Sequence, residues 1–194
     1  MSFLLRFIVL FFLGSIPTAY LAGKWIQGKD LRQFGSGNVG ATNAFRVLGK
    51  KAGSVVFLID FLKGYLPILV ILPQLPERQG LIWLGLAPIL GHIFTPFLAF
   101  KGGKGVATGL GVLGALFQGP VLIAFVVWIV FFLITRTVST SSLFSLASIV
   151  VSSFILGIRG QALIFLILCF ALIVWTHREN LIRLKEGKEN KFCK

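Results

Sequence analysis

Uncharged apolar stretches alternate along this chain with short polar, glycine-bearing or lysine-bearing ones. The apolar runs extend roughly from Phe3 to Gly23, Ser54 to Leu72, Leu81 to Phe100, Val106 to Phe117, Val121 to Ile134, Leu143 to Gly157 and Ala162 to Trp175. Because about 20 apolar residues cross a bilayer core as a helix, this pattern predicts an all-α, polytopic integral membrane bundle of about seven helices. Helical runs of this length exclude a β-barrel. The fourth and fifth runs are short. They form two tilted or partial spans hinged at Gly119-Pro120, or they join into one.

Charge separates those alternatives. With seven spans and the N-terminus outside, fifteen of the nineteen Lys and Arg fall in cytoplasmic segments; Arg6, Arg78 and Arg159 fall outside and Lys63 lies within the second span. The positive-inside rule favours this arrangement, with the C-terminus cytoplasmic, whereas fusing runs four and five puts the basic tail outside. Trp25 and Trp175 then sit at the inner boundary and Trp83 near the outer one, as an aromatic belt requires. The first run follows a single Arg6 and has no clear small-residue cleavage site, so it reads as a span rather than a removed signal peptide.

Composition narrows the class further. The chain has 194 residues, 56% of them hydrophobic, and twenty Phe, which leaves too little polar surface for a soluble domain. A single transmembrane domain over residues 1–194 is expected, with cytoplasmic motif loops at about 34–53, 100–108 and 176–194. The net charge of +13 is distributed between apolar runs, so it marks topology and not a nucleic-acid partner. Cys169 and Cys193 are too few for a disulfide framework or zinc site; no metal or cofactor is expected.

Three polar stretches carry candidate chemistry. The first, from Phe34 to Gly53, holds Ser36, Gly37, Asn38, Gly40, Thr42, Asn43 and Arg46. Glycines there let backbone N–H groups turn toward an anion, the neutral side chains add hydrogen bonds, and Arg46 adds a bidentate fork. Gly35, Gly37 and Gly40 formally fit a dinucleotide fingerprint, but no strand precedes them and Asp60 lies inside an apolar span. The second stretch places Lys101 and Lys104 around Gly102 and Gly103 before run four, where Gly-Gly allows close backbone approach, Lys104 supplies a point charge and a helix start offers amides. Leu98 and Gly105 exclude a Walker A motif. These lysines could equally mark the inner boundary, and Gly105-x-x-x-Gly109 could serve helix packing alone.

Asp60 and Lys63 lie three apart in span two, at a depth where an ionisable group costs about 2.5 to 3.5 kcal/mol and must face the bundle interior. They read as a paired structural charge or, on the favoured reading, as an Asp60 that orients Lys63 toward a cytoplasmic cavity. In the third stretch, His177 and Asn180 share a face if the last helix continues, while Arg178 and Glu179 point elsewhere. Arg136, Ser139 and Ser142 form a weaker cluster before span six, where hydroxyls also cap helices.

Taken together, GSGNVGATN with Arg46, KGGKGVAT and HREN resemble the bacterial acyl-phosphate:glycerol-3-phosphate acyltransferase family. So do Gly14-Ser15-Ile16-Pro17, Asp60-x-x-Lys63-Gly64 and Arg136-x-x-Ser139-x-x-Ser142, across almost the whole chain. Val39, Thr95-Pro96 and Thr176 depart from the family pattern without removing a polar group assigned to the site. The resemblance implies a multi-pass enzyme of the bacterial cytoplasmic membrane, with its active site on the cytoplasmic side. It implies transfer of an acyl group from long-chain acyl phosphate to the 1-hydroxyl of glycerol-3-phosphate, the first acylation of phospholipid synthesis, with membrane lipids around the protein.

Ser36, Arg46, Lys104, His177 and Asn180 are the expected catalytic set; Gly37, Asn38, Gly40, Thr42, Asn43, Lys63, Gly102, Gly103 and Ser142 are expected to bind substrate. His92 and His177 are followed five positions on by Phe97 and Ile182, so the His-x-x-x-x-Asp pair of thioester-dependent acyltransferases is missing. No Ser-His-Asp or Cys-His set stands out either, which favours direct transfer. A transporter of phosphorylated metabolites would want related halves and a midplane site; the polar motifs instead gather at one face and no repeat is evident.

Overall fold

The computed structural model describes residues 2–74 and 78–192, which form helices and no strand. Cys193 lies outside the described residues. The chain divides into two compact units, Met1–Leu116 and Phe117–Lys194.

The first unit contains α1 (Phe3–Ser15), α2 (Thr18–Gln27), α3 (Ala41–Leu48), α4 (Lys50–Ile71), α5 (Arg78–Leu84), α6 (Leu86–Ile93) and α7 (Val106–Leu116). The first apolar run is broken between α1 and α2, because Pro17 disfavours helical geometry at Ile16, whose φ and ψ are −55° and 116°. A break in an apolar run strands carbonyls that lipid cannot satisfy. Two side chains from elsewhere do so: Thr95 Oγ1 donates to the Ser15 carbonyl at 2.6 Å and Lys63 Nζ to the Ile16 carbonyl at 2.8 Å.

Helices in this unit meet backbone to backbone at glycines. A Cβ on Gly14 would overlap the Pro88 carbonyl and one on Gly91 the Phe11 carbonyl, which joins α1 to α6. Gly64 and Gly111 do the same for α4 and α7, against the carbonyls of Thr108 and Phe61. Small residues give close approach where apolar burial alone cannot drive helices together in lipid. The packing glycines of α4 and α7 are therefore Gly64 and Gly111; Gly105 instead takes φ 83° just before α7.

The second unit contains α8 (Gln118–Thr135), α9 (Val138–Ile155), α10 (Gly160–Thr176) and α11 (Arg178–Lys185). Runs four and five are separate helices, broken at Phe117 rather than at Gly119-Pro120. Pro120 falls in the first turn of α8, where a missing N–H costs no helical bond. In α8 only Pro120 and Ala124 are buried, and Leu122, Phe125 and Ile134 are 68%, 57% and 73% exposed. Such a surface is satisfied by acyl chains and not by water.

Among the described residues, Phe3–Gln27, Lys50–Ile71, Gln118–Thr135 and Val138–Ile155 are long and apolar enough to cross a bilayer. The α10–α11 pair, bent by 60°, adds a fifth if counted as one span, and Ile82–Leu98 and Val106–Leu116 are shorter apolar segments. Each apolar run of the sequence is mostly helical, the first broken at Ile16-Pro17 and the third leaving α-helix after Ile93.

Candidate active site

The first motif is part loop and part helix. Gly35 and Gly37 adopt left-handed φ values of 62° and 72°, which only glycine takes freely, and they turn the chain into α3. No side chain caps the first turn of α3, so its amide end favours an anion. Thr42 and Arg46 lie four apart on this helix and so share a face. Ser36 is exposed at the turn.

Asn43 is bonded into the turn itself. Its Nδ2 donates to the carbonyls of Leu31 and Phe34 at 3.0 and 2.9 Å, its Oδ1 accepts the Ser36 N–H at 2.9 Å, and the residue is 1% exposed. Both donors and the acceptor are committed to the backbone of residues 31–36. Asn43 thereby shapes the turn that presents Ser36.

The second motif is built against a buried charge cluster. Lys63 Nζ lies 2.7 Å from Asp60 Oδ1, with side chains only 7% and 2% exposed, and His92 Nδ1 is 3.7 Å from that same oxygen. With its second bond to Ile16, the Lys63 ammonium is held by two internal partners. These bonds tie α4 to the α1–α2 break. Burying two charges is tolerable only with such pairing.

His92 leads directly to the Gly-Gly pair. Gly102 N–H donates to the Ile93 carbonyl at 2.9 Å and Gly103 N–H to the His92 carbonyl at 3.1 Å. The glycines are needed for a different close approach: a Cβ on Gly102 would strike the His92 and Ile93 carbonyls, and one on Gly103 the His92 ring. Ala99 and Phe100 hold left-handed φ of 52° and 62° just upstream, a cost that the bonds from Phe100 to Thr95 and Lys101 to Leu98 help to fix. Lys104 leaves this clamped loop two residues before α7 begins at Val106.

In the second unit the helix does not run on through the third motif. His177 ends α10 and precedes α11 at the 60° bend. The shared face survives the bend, since His177 and Asn180 are 3% and 5% exposed while Arg178 and Glu179 are exposed. His177 Nδ1 lies 2.8 Å from the Ile173 carbonyl. Ser142, 3% exposed, accepts from Trp128 Nε1 at 3.3 Å.

A residue that no sequence motif marked joins this group. The Glu189 carboxylate accepts from Asn180 Nδ2 at 2.6 Å, Ser139 Oγ at 2.8 Å and Arg183 Nε at 2.9 Å. Burial works to raise its pKa, but the hydrogen bonds from Asn180, Ser139 and Arg183, with the Arg183 charge, outweigh that and hold it below the usual carboxylate range. A single Glu in a polar tail gives no periodic signal, and its partners lie up to 50 residues away.

Residues 4–187 match the family described as Glycerol-3-phosphate acyltransferase. The Glycerol-3-phosphate acyltransferase of Aquifex aeolicus (strain VF5) is 44% identical, over 96% of this chain and 98% of its own. That of Myxococcus xanthus (strain DK1622) is 43% identical, over 92% and 94%. Crystal structures of PlsY (YgiH), an integral membrane glycerol 3-phosphate acyltransferase, are similar in fold. The glycerol 3-phosphate form has a TM-score of 0.93 at 43% identity, covering 98% of this chain and 95% of that one. The lysophosphatidic acid form has a TM-score of 0.89 at 42% identity, covering 97% and 94%.

Proposed function

The chain belongs to the glycerol-3-phosphate acyltransferase family of integral membrane enzymes, which serve phospholipid synthesis, and on that premise we propose that it uses acyl phosphate as donor. The reaction is transfer of a long-chain acyl group to the 1-hydroxyl of glycerol-3-phosphate, giving lysophosphatidic acid and phosphate. The observation that carries the acceptor and product is the likeness to PlsY in its glycerol 3-phosphate and lysophosphatidic acid forms.

The hydroxyl oxygen attacks the acyl carbonyl carbon, the bond from that carbon to the phosphate oxygen breaks, and inorganic phosphate leaves. The hydroxyl proton passes to a substrate phosphate oxygen, so no acyl-enzyme and no protein nucleophile is needed. Because phosphate is already a good leaving group, the protein's part is positioning and charge stabilisation. Arg46, as a planar fork, and Lys104, as a compact charge, secure the phosphates. Ser36, Thr42 and the open first turn of α3 add donors, with Gly37, Asn38 and Gly40 shaping them, and His177, Asn180 and Ser142 orient the acceptor.

The absence of the His-x-x-x-x-Asp pair supports acyl phosphate over an acyl thioester. Purified protein given glycerol-3-phosphate should release phosphate and form lipid product with acyl phosphate and should not turn over acyl-CoA; comparable rates with acyl-CoA sink the donor assignment. The same reading puts seven spans in the bacterial cytoplasmic membrane with the motifs on the cytoplasmic side. Single cysteines replacing Ser36, Lys104 and Lys191 in a cysteine-free background should label only from that side, and labelling of Lys191→Cys from outside overturns the count.

A further inference from the structure

After α11 the chain reverses. Gly187 takes φ 68°, its N–H and that of Lys188 donate to the carbonyls of Leu184 and Arg183 at 3.1 and 2.8 Å, and this closure of a helix end sends residues 188–192 back toward the start of α9. Two anchors hold them there. Phe192 N–H donates to the Arg136 carbonyl at 2.8 Å, and the Phe192 ring meets Phe132 edge-on with centroids 5.6 Å apart. Between the turn at Gly187 and Phe192, Glu189 is inserted among Ser139, Asn180 and Arg183, its side chain 6% exposed.

We propose that Glu189 is a positioning residue for acyl transfer: it fixes which way round the Asn180 amide stands, and ties that amide to Ser139 of α9. The chemistry is directional. An ionised carboxylate only accepts hydrogen bonds, whereas an Asn side chain has a donor end and an acceptor end of nearly identical shape. With Nδ2 committed to Glu189 at 2.6 Å, the amide cannot turn over, and its carbonyl end is held at the opposite side. Oε1 carries both the Asn180 and Ser139 bonds, while Oε2 takes Arg183, so one carboxylate spans α9 and α11. Glu189 lies beyond residues 4–187, the stretch that matches the family. The proposal rests on the reading that Asn180 orients the acceptor.

The test is a double-mutant cycle on full-length protein, with kcat and the KM for glycerol-3-phosphate measured alongside thermal unfolding. If Glu189 acts through Asn180, E189A lowers kcat about tenfold or more with KM within about twofold, since misplacement costs rate while the phosphate grip is elsewhere. E189A/N180A is then no slower than N180A. E189Q, which keeps an acceptor oxygen but loses Arg183, has a kcat between E189A and wild type. A wild-type kcat for E189A, or losses that multiply in the double mutant, overturns the proposal. Should E189A not fold, E189Q takes its place in the cycle, and either no loss or multiplied losses overturns it. A wild-type kcat for N180A sinks the reading of Asn180 itself, whatever Glu189 does.

Discussion

His177 donates Nδ1–H to the carbonyl oxygen of Ile173, four residues earlier on α10, at 2.8 Å. A carbonyl only accepts, so the neutral ring carries its proton on Nδ1 and Nε2 is left in the acceptor state. On the proposed reading, Nε2 is the nitrogen that meets the acceptor hydroxyl, either to orient it or to remove its proton.

Three substitutions separate these roles. An Asn amide reaches the position of Nδ1, a Gln amide that of Nε2, and neither is a base near neutrality. If orientation is the role, activity should fall in the order His177→Gln, His177→Asn, His177→Ala, with the pH dependence from substrate phosphate preserved in all. Equal losses of about 10² to 10⁴ in rate, with the neutral pH step gone, make His177 the base.

The Gly-Gly pair offers a suppressor test. Gly103→Ala collides with the His92 ring, whereas Gly102→Ala collides with main-chain carbonyls, and overpacking of this kind costs about 1–3 kcal/mol. Both should raise the KM for a phosphate-bearing substrate by displacing Lys104. His92→Ala should partly restore Gly103→Ala and leave Gly102→Ala unimproved, as steady-state kinetics will show; equal rescue of both refutes the steric account.

Removing one member of the Asp60–Lys63 pair leaves a buried charge uncompensated, at a cost of about 3–5 kcal/mol, while neutral replacement of both is far milder. Lys63→Met and Asp60→Asn should each lower the unfolding temperature in detergent, and the double mutant should recover most of it. If the bonds of Lys63 to Asp60 and Ile16 are its whole role, the folded double mutant should also keep most of its kcat/KM; a severe loss there makes Lys63 a substrate ligand.

Acid should release the C-terminal tail. The hydrogen bonds and the Arg183 charge hold the Glu189 carboxyl below the ordinary glutamate value of 4.5 in the folded state, so its contribution to stability is fully present above about pH 4.5 and is lost as pH falls through the folded value. The charges around it are Arg183 on α11 at 2.9 Å, with Glu179 4.0 Å from Arg183, and in the tail the mutually paired Lys188 and Glu186. Hydrogen exchange across residues 186–192, corrected for intrinsic rates, should lose protection with acidification in the wild type and show no such step in Glu189→Gln.

The helices were legible because lipid forces every apolar run to satisfy its own backbone. What the sequence concealed was which polar groups face inward to the protein's own main chain. Asn43 in a glycine-rich turn reads alike as ligand or as scaffold, and nothing local announces its three bonds to residues 31–36. α3 is eight residues long and follows Gly40 without a side-chain cap, so it gave none of the usual start signals. The acceptor of Lys63 is 47 residues away, beyond any local pattern.

The capping of α1 also has a consequence for the order in which the protein can be completed. The Ser15 carbonyl receives its donor from Thr95, and the Ile16 carbonyl, which the Thr18 N–H already reaches at 3.0 Å, gains a second donor from Lys63; Thr95 and Lys63 are made much later than the helix they serve. A newly inserted first segment therefore lacks the Thr95 donor for its Ser15 carbonyl in the bilayer until the chain has been synthesised past Thr95 and the loop after α6 has come alongside. Its final form is a product of assembly, and a nascent chain stopped before residue 95 should hold this segment in another conformation.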